Sequence, residues 1–189
     1  MAEINDSLQP GDALLIVDVQ KDFCPGGALP VEGGDTIVPI INGWIAVAVA
    51  KGVPVYASRD WHPMGHLSFK EGGGPWPPHC IQDSDGAKFQ QDLALPSSTI
   101  IVTKGVRFDQ DQNSAFDQTG LAVQLHKDCI RRLWVAGLAE DVCVLATVLD
   151  GRREGFEVVL VAKATCPITS ESGEKARRQM QEEGARIVV

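Results

Sequence analysis

Residues 13–17, Ala-Leu-Leu-Ile-Val, run without a polar side chain straight into Asp18. An unbroken apolar run of this length fits a strand covered on both faces, whereas a half-buried strand would alternate. The pattern recurs in Val53–Ala57 (VPVYA), Thr99–Val102 (TIIV), Leu133–Ala136 (LWVA), Val158–Val161 (VVLV) and Arg186–Val189 (RIVV). Helices are predicted between these runs over 35–51, 118–128, 140–154 and 170–183. The third is expected to stop near Gly155. The fourth has a capping signal at Thr169-Ser170-Glu171 and stops before Gly184. Strands alternating with helices predict an α/β fold, a three-layer α/β/α sandwich around a six-stranded parallel sheet.

At 189 residues the chain reads as one domain, 1–189. Its 17 Lys and Arg against 25 Asp and Glu leave a net charge of −8, which argues against nucleic-acid or anionic-membrane partners. No apolar run reaches the roughly 18–20 residues of a membrane span. The opening MAEINDSLQPGD has no basic region, so no secretory signal is expected. Five cysteines at irregular spacing, without a CxxC pair, suit a reducing compartment, so a cytoplasmic location is expected.

The turn after the first run, Asp18-Val19-Gln20-Lys21-Asp22-Phe23, has neither GxGxxG nor GxxxxGK[ST]. A nucleotide-binding role is therefore disfavoured. What the strand ends do carry is reactive chemistry. Asp18 follows the first run, Asp60 and His62 the second, Lys104 the third, and Cys143 the fourth after Gly137-Leu138-Ala139. Ligands of open parallel sheets bind at these ends. An acid beside an ammonium suits proton transfer, and a thiol at a helix N-terminus favours thiolate. Glu140 and Asp141 would oppose a thiolate, so Lys104 is expected close to Cys143.

Segment 60–98 is long, rich in Gly and Pro, and without periodicity. It holds His62, His66 and His79, three of the four histidines, with Asp60. Imidazoles and a carboxylate suit a divalent ion with open positions, with zinc, iron or manganese as candidates. Phe23, Trp61, Trp76 and Phe108 lie close by in sequence and suggest aromatic walls for a flat small molecule.

Ile16-Val17-Asp18-Val19-Gln20-Lys21-Asp22-Phe23-Cys24 with Gly26-Gly27 resembles the opening of the isochorismatase-like cysteine hydrolases. Asp60-Trp61-His62-Pro63 and Trp76-Pro77-Pro78-His79-Cys80 narrow the resemblance to the metal-containing nicotinamidases (pyrazinamidases). Lys104-Gly105, Asn113-Ser114-Ala115-Phe116 and Gly137-Leu138-Ala139-Glu140-Asp141-Val142-Cys143-Val144 follow in the same order. The resemblance implies hydrolysis of nicotinamide, and of pyrazinamide, through a cysteine thioester. It implies Cys143 as nucleophile, Asp18 as general base and acid, and Lys104 as the third triad member. It also implies an oxyanion hole from the amides of Ala139 and Cys143, with a cis peptide before Ala139. The implied metal ligands are Asp60, His62, His79 and His66, with zinc favoured, and Phe23 and Trp76 would flank the pyridine ring. Glu140 departs from the small or hydroxyl residue of many members. The partner expected is a small-molecule substrate, and homo-oligomerisation is left open. Two other readings remain: a related amidase acting on a carbamoyl or small aliphatic amide, and a non-catalytic metal or thiol sensor on the same fold.

Overall fold

A computed structural model describes residues 8–189, so most of the opening segment judged free of a secretory signal lies outside the described residues. Six parallel strands form one sheet in the order β3-β2-β1-β4-β5-β6. They are β1 (Asp12–Val17), β2 (Val55–Asp60), β3 (Ile100–Lys104), β4 (Arg132–Gly137), β5 (Glu157–Thr165) and β6 (Arg186–Val188). The helices are α1 (Val38–Lys51), α2 (Leu121–Lys127), α3 (Leu145–Arg153) and α4 (Ser170–Glu182). The expected α/β fold with a six-stranded parallel sheet is the fold observed.

The continuous apolar runs are explained by two buried faces. Leu14 and Ile16 of β1 join Ile41, Trp44, Ile45 and Ala48 of α1 in one core. Ala13, Leu15 and Val17 turn to the opposite face, with Leu121 and Leu125 of α2, Val148 of α3, and Ala176 and Met180 of α4. Alternate residues of a strand serve alternate faces, so no position can be polar without cost. At the β4 tip only glycine fits. Gly137 has φ 128°, and a Cβ there would lie 2.0 Å from the Val17 carbonyl oxygen of the neighbouring strand.

Several boundaries differ from the sequence reading. β2 begins after Pro54 and extends to Asp60, and β3 extends to Lys104, so both carry reactive residues on the strand itself. The helix expected over 118–128 starts only at Leu121, because Gly120 is left-handed at φ 78°. A short 3-10 turn, Gly34–Ile37, precedes α1. α4 is capped as expected, by a reciprocal Thr169–Ser172 box.

The long segment after β2 is tied down by single bridges, His62 with Ile81, Phe69 with Trp76, and Phe89 with Gln20. Asp22 clamps it further, its carboxylate accepting from the Cys80 amide at 2.7 Å and the Ala28 amide at 3.1 Å. Among the described residues no helix is long and apolar enough to cross a membrane. All five cysteines are free.

Candidate active site

The strand order changes direction between β1 and β4, and a crevice opens there at the carboxyl ends. Asp18 leaves β1 with φ 48°, a left-handed conformation that aspartate tolerates better than most residues. Asp60 and Lys104 are register partners at the ends of β2 and β3. Lys104 is wholly buried. Its Nζ lies 2.7 Å from Asp18 Oδ2, 2.6 Å from Asp60 Oδ1 and 3.7 Å from Cys143 Sγ, and donates to the Gln112 carbonyl at 3.3 Å. The acid and the thiol expected at the sheet edge therefore meet at the amine, and ligand atoms of Asp18 and Cys143 lie within 4.8 Å of each other.

A buried ammonium is tolerable only when paired. Burial alone would lower the Lys104 pKa, but the charges of Asp18 and Asp60 carry it well above the ordinary lysine value. Burial raises the Asp18 carboxyl, with Lys104 opposing. Burial also pushes the Cys143 thiol well up, again against Lys104. In this setting burial disfavours the thiolate, and the neighbouring carboxylate is a stronger base than an exposed aspartate.

Cys143 sits on a wide turn, Glu140–Val144, where the Val144 amide reaches back five residues to the Ala139 carbonyl at 3.1 Å. The helix expected from residue 140 thus begins with a π turn, a feature common at functional sites, and becomes α-helical only at Leu145. The Leu138–Ala139 peptide is cis. Glu140 is buried. Its carboxylate accepts from the Thr165 hydroxyl and pairs with Arg177 Nε at 3.2 Å, so its charge is partnered away from Lys104 and Asp18.

Asp60 Oδ2 lies 3.6 Å from His62 Nε2. One ligand atom each from Asp60, His62 and His79 falls within 4.8 Å of the others. His62 Nδ1 faces the Gly105 carbonyl at 2.9 Å and His79 Nδ1 the Pro77 carbonyl at 2.8 Å. A carbonyl can only accept, so both rings carry hydrogen on Nδ1 and present an Nε2 lone pair, as metal-binding imidazoles do. His66 stacks on His62 with centroids 4.3 Å apart, and its Nε2 is buried without a hydrogen-bond partner. Its Nδ1 meets the Ser68 hydroxyl at 2.8 Å and the Ser68 amide at 3.3 Å. The donor chemistry and the orphaned nitrogen fit a divalent ion.

Between thiol and imidazoles lies a cavity of about 100 Å³, lined by Phe23, Trp76, Asp60, His79, Ala139 and Cys143 among others. Phe23 and Trp76 thus line this cavity. Phe108 and Trp61 do not. Phe108 is 73% exposed, and Trp61 turns its ring under the Arg59 guanidinium, 3.9 Å away.

Sequence reasoning missed the bracing residues. Gln20 receives the Asp60 amide at 2.7 Å and donates to the Asp60 and Ala87 carbonyls at 2.7 and 2.8 Å. Ser58 donates to Asp18 Oδ1 at 2.7 Å. Their signal was available, since Gln20 and Ser58 stand just past buried apolar runs, where a buried polar side chain needs a partner.

The isochorismatase domain model matches residues 12–188. The nicotinamidase of Escherichia coli K12 is 38% identical over 173 residues, 80% of this chain and 81% of that protein. A pyrazinamidase of Pyrococcus horikoshii solved in complex with zinc superposes with a TM-score of 0.92 at 44% identity, covering 95% of this chain and 99% of that one. A protein from L. infantum solved in complex with nicotinate superposes at 0.87 with 38% identity, covering 94% and 91%. With the domain model spanning nearly the whole chain, the protein belongs to the isochorismatase family.

Proposed function

We propose that the protein hydrolyses nicotinamide to nicotinate and ammonia, and pyrazinamide by the same route, with Cys143, Asp18 and Lys104 as its triad. The observation that carries this reading is the Lys104 ammonium held 2.7 Å from Asp18 Oδ2 and 3.7 Å from Cys143 Sγ, beside the imidazole cluster. The nicotinamidase and nicotinate-bound relatives support the substrate.

Amide hydrolysis needs a nucleophile, a proton for the departing nitrogen, and stabilisation of the oxyanion. Asp18 takes the Cys143 proton while Lys104 stays charged between the two. The Cys143 sulfur bonds to the carboxamide carbon, and the oxyanion is received by the amides of Ala139 and Cys143. As the C–N bond breaks, Asp18 returns the proton and ammonia leaves. The remaining thioester is attacked by water whose proton passes to Asp18, and the sulfur departs to recover that proton as the acid is released. Phe23 and Trp76 hold the ring so that its carbonyl faces the thiol, and orientation of this kind supplies several kcal/mol of the barrier.

Asp60, His62 and His79 would hold a divalent ion, and we assign it as zinc on the imidazole-rich donor set and the zinc-bound relative. His66 is the further ligand we assign, its buried Nε2 being the ring nitrogen without a hydrogen-bond partner. Bound there, the ion supplies a Lewis acid toward the ring nitrogen. Five free thiols suit a cytoplasmic enzyme.

The test is ammonia release from nicotinamide by wild type and Cys143→Ala, before and after chelation. Turnover by wild type alone, lost on chelation and restored by zinc, is expected. Absence of ammonia from the zinc-loaded wild type would overturn the proposal.

A further inference from the structure

We propose that Ser58 is a positioning residue for the reaction, fixing the Asp18 carboxylate for proton transfer with Cys143. The inference rests on the reading of Asp18 as the base. Ser58 is fully buried on β2, the strand beside β1, and lies two residues before Asp60. Strand periodicity therefore points the two side chains to the same face. Ser58 holds Asp18 twice. Its carbonyl accepts from the Asp18 amide at 3.2 Å, and its hydroxyl donates to Asp18 Oδ1 at 2.7 Å.

The other carboxylate oxygen, Oδ2, lies 2.7 Å from the Lys104 ammonium. Each oxygen is thus gripped from its own side, by a hydroxyl on β2 and an ammonium on β3. The carboxylate cannot rotate about its Cβ–Cγ bond without breaking a charge-assisted hydrogen bond. Lys104 alone would fix only one oxygen of Asp18, and its Nζ is also committed to Asp60. Ser58 neither gives nor takes a proton in the cycle. It keeps one lone pair of Asp18 facing the thiol while the proton goes out and comes back.

Wild type, Ser58→Ala and Ser58→Thr are compared, all loaded with zinc. Ser58→Ala should lower kcat roughly ten- to a hundredfold, the cost of a misplaced reacting group, with KM and zinc content within about twofold of wild type. Ser58→Thr keeps the hydroxyl and should recover most of kcat. A Ser58→Ala enzyme with unchanged kcat, or a loss confined to KM or zinc content, would overturn the inference. So would a folded, zinc-loaded Ser58→Thr no faster than Ser58→Ala. Iodoacetamide labelling of the Cys143 peptide, read by mass spectrometry, separates this inference from the substrate. If wild type releases no ammonia, the proposed function fails, and slower labelling in Ser58→Ala still supports the role of Ser58. Equal labelling would contradict it.

Discussion

The Lys104 ammonium lies 2.6 Å from Oδ1 of Asp60, while the other oxygen of the same carboxylate faces His62 at 3.6 Å. One aspartate therefore joins the proton-transfer half of the site to the imidazole half. Lys104 brings one positive charge to the carboxylates of both Asp18 and Asp60.

This shared carboxylate predicts a double phenotype. Asp60→Asn should lose most bound zinc and lower turnover by more than about a hundredfold. Added zinc should restore activity only in part, because Lys104 remains without its second counter-charge. Metal analysis and ammonia release on the same preparations check it. Full recovery at saturating zinc would show that Asp60 serves the ion alone.

The sequence reading assigned Asp60 to the ion only, and the reason it fell short is physical. A motif gives the order of residues, whereas the pairing of Asp60 with Lys104 follows from strand register between β2 and β3. The strands themselves were legible because burial on both faces leaves long apolar runs. The strand-end residues were legible because a parallel sheet delivers all its carboxyl tips to one side. The π turn under Cys143 was not, since Glu140–Val144 has an ordinary helical composition and its wide hydrogen bond is a tertiary outcome. The orientation of Glu140 depended on Thr165 and Arg177, two elements further along the chain. Phe108 was misplaced because closeness in sequence to Lys104 says nothing of the loop's direction.

Gly105 probes His62 from its Nδ1 side, with Asp60 Oδ1 also 3.1 Å from a Cβ built there. It has φ 69°, and a Cβ there would lie 2.5 Å from His62 Cε1 and 2.6 Å from Nδ1. Gly105→Ala should displace His62 and leave zinc well below one ion per chain. Labelling of Cys143 by iodoacetamide should persist, because Gly105 does not touch the thiol. Inductively coupled plasma analysis beside peptide mapping reads both. Stoichiometric zinc in this variant would mean that His62 does not hold the ion.

Glu140 supplies a pH-dependent prediction. Burial raises its carboxyl above the ordinary glutamate value, with Thr165 and Arg177 opposing. A carboxyl whose folded pKa is raised destabilises the fold above that pKa, and the penalty vanishes as pH falls below the unfolded value. Glu140→Gln should therefore raise Tm at pH 8, by about 2–4 °C for each kcal/mol relieved, and the gain should shrink toward zero near pH 4. Thermal unfolding across that range checks it. A gain that grew on acidification would reverse the sign and refute the assignment.

At the opposite end of the sheet, Asp12 accepts Arg132 Nε and Nη2 at 2.9 and 2.8 Å and Trp134 Nε1 at 3.0 Å. Asp12→Ala leaves these donors short of an acceptor and should cost about 3 kcal/mol of stability. The folded fraction should keep wild-type kcat, since nothing in the site touches Asp12. Urea unfolding and activity at low temperature separate the two effects.

Of all the proposed steps, the bond between Cys143 and the substrate carbonyl is the one on which the others depend. Rapid quenching of the zinc-loaded enzyme during turnover of nicotinamide, followed by intact-mass and peptide analysis, tests it most directly. A nicotinoyl adduct on the Cys143 peptide, present in wild type and absent in an inactive Cys143→Ala, is the predicted result. Ammonia release by Cys143→Ala at a rate near wild type would contradict it.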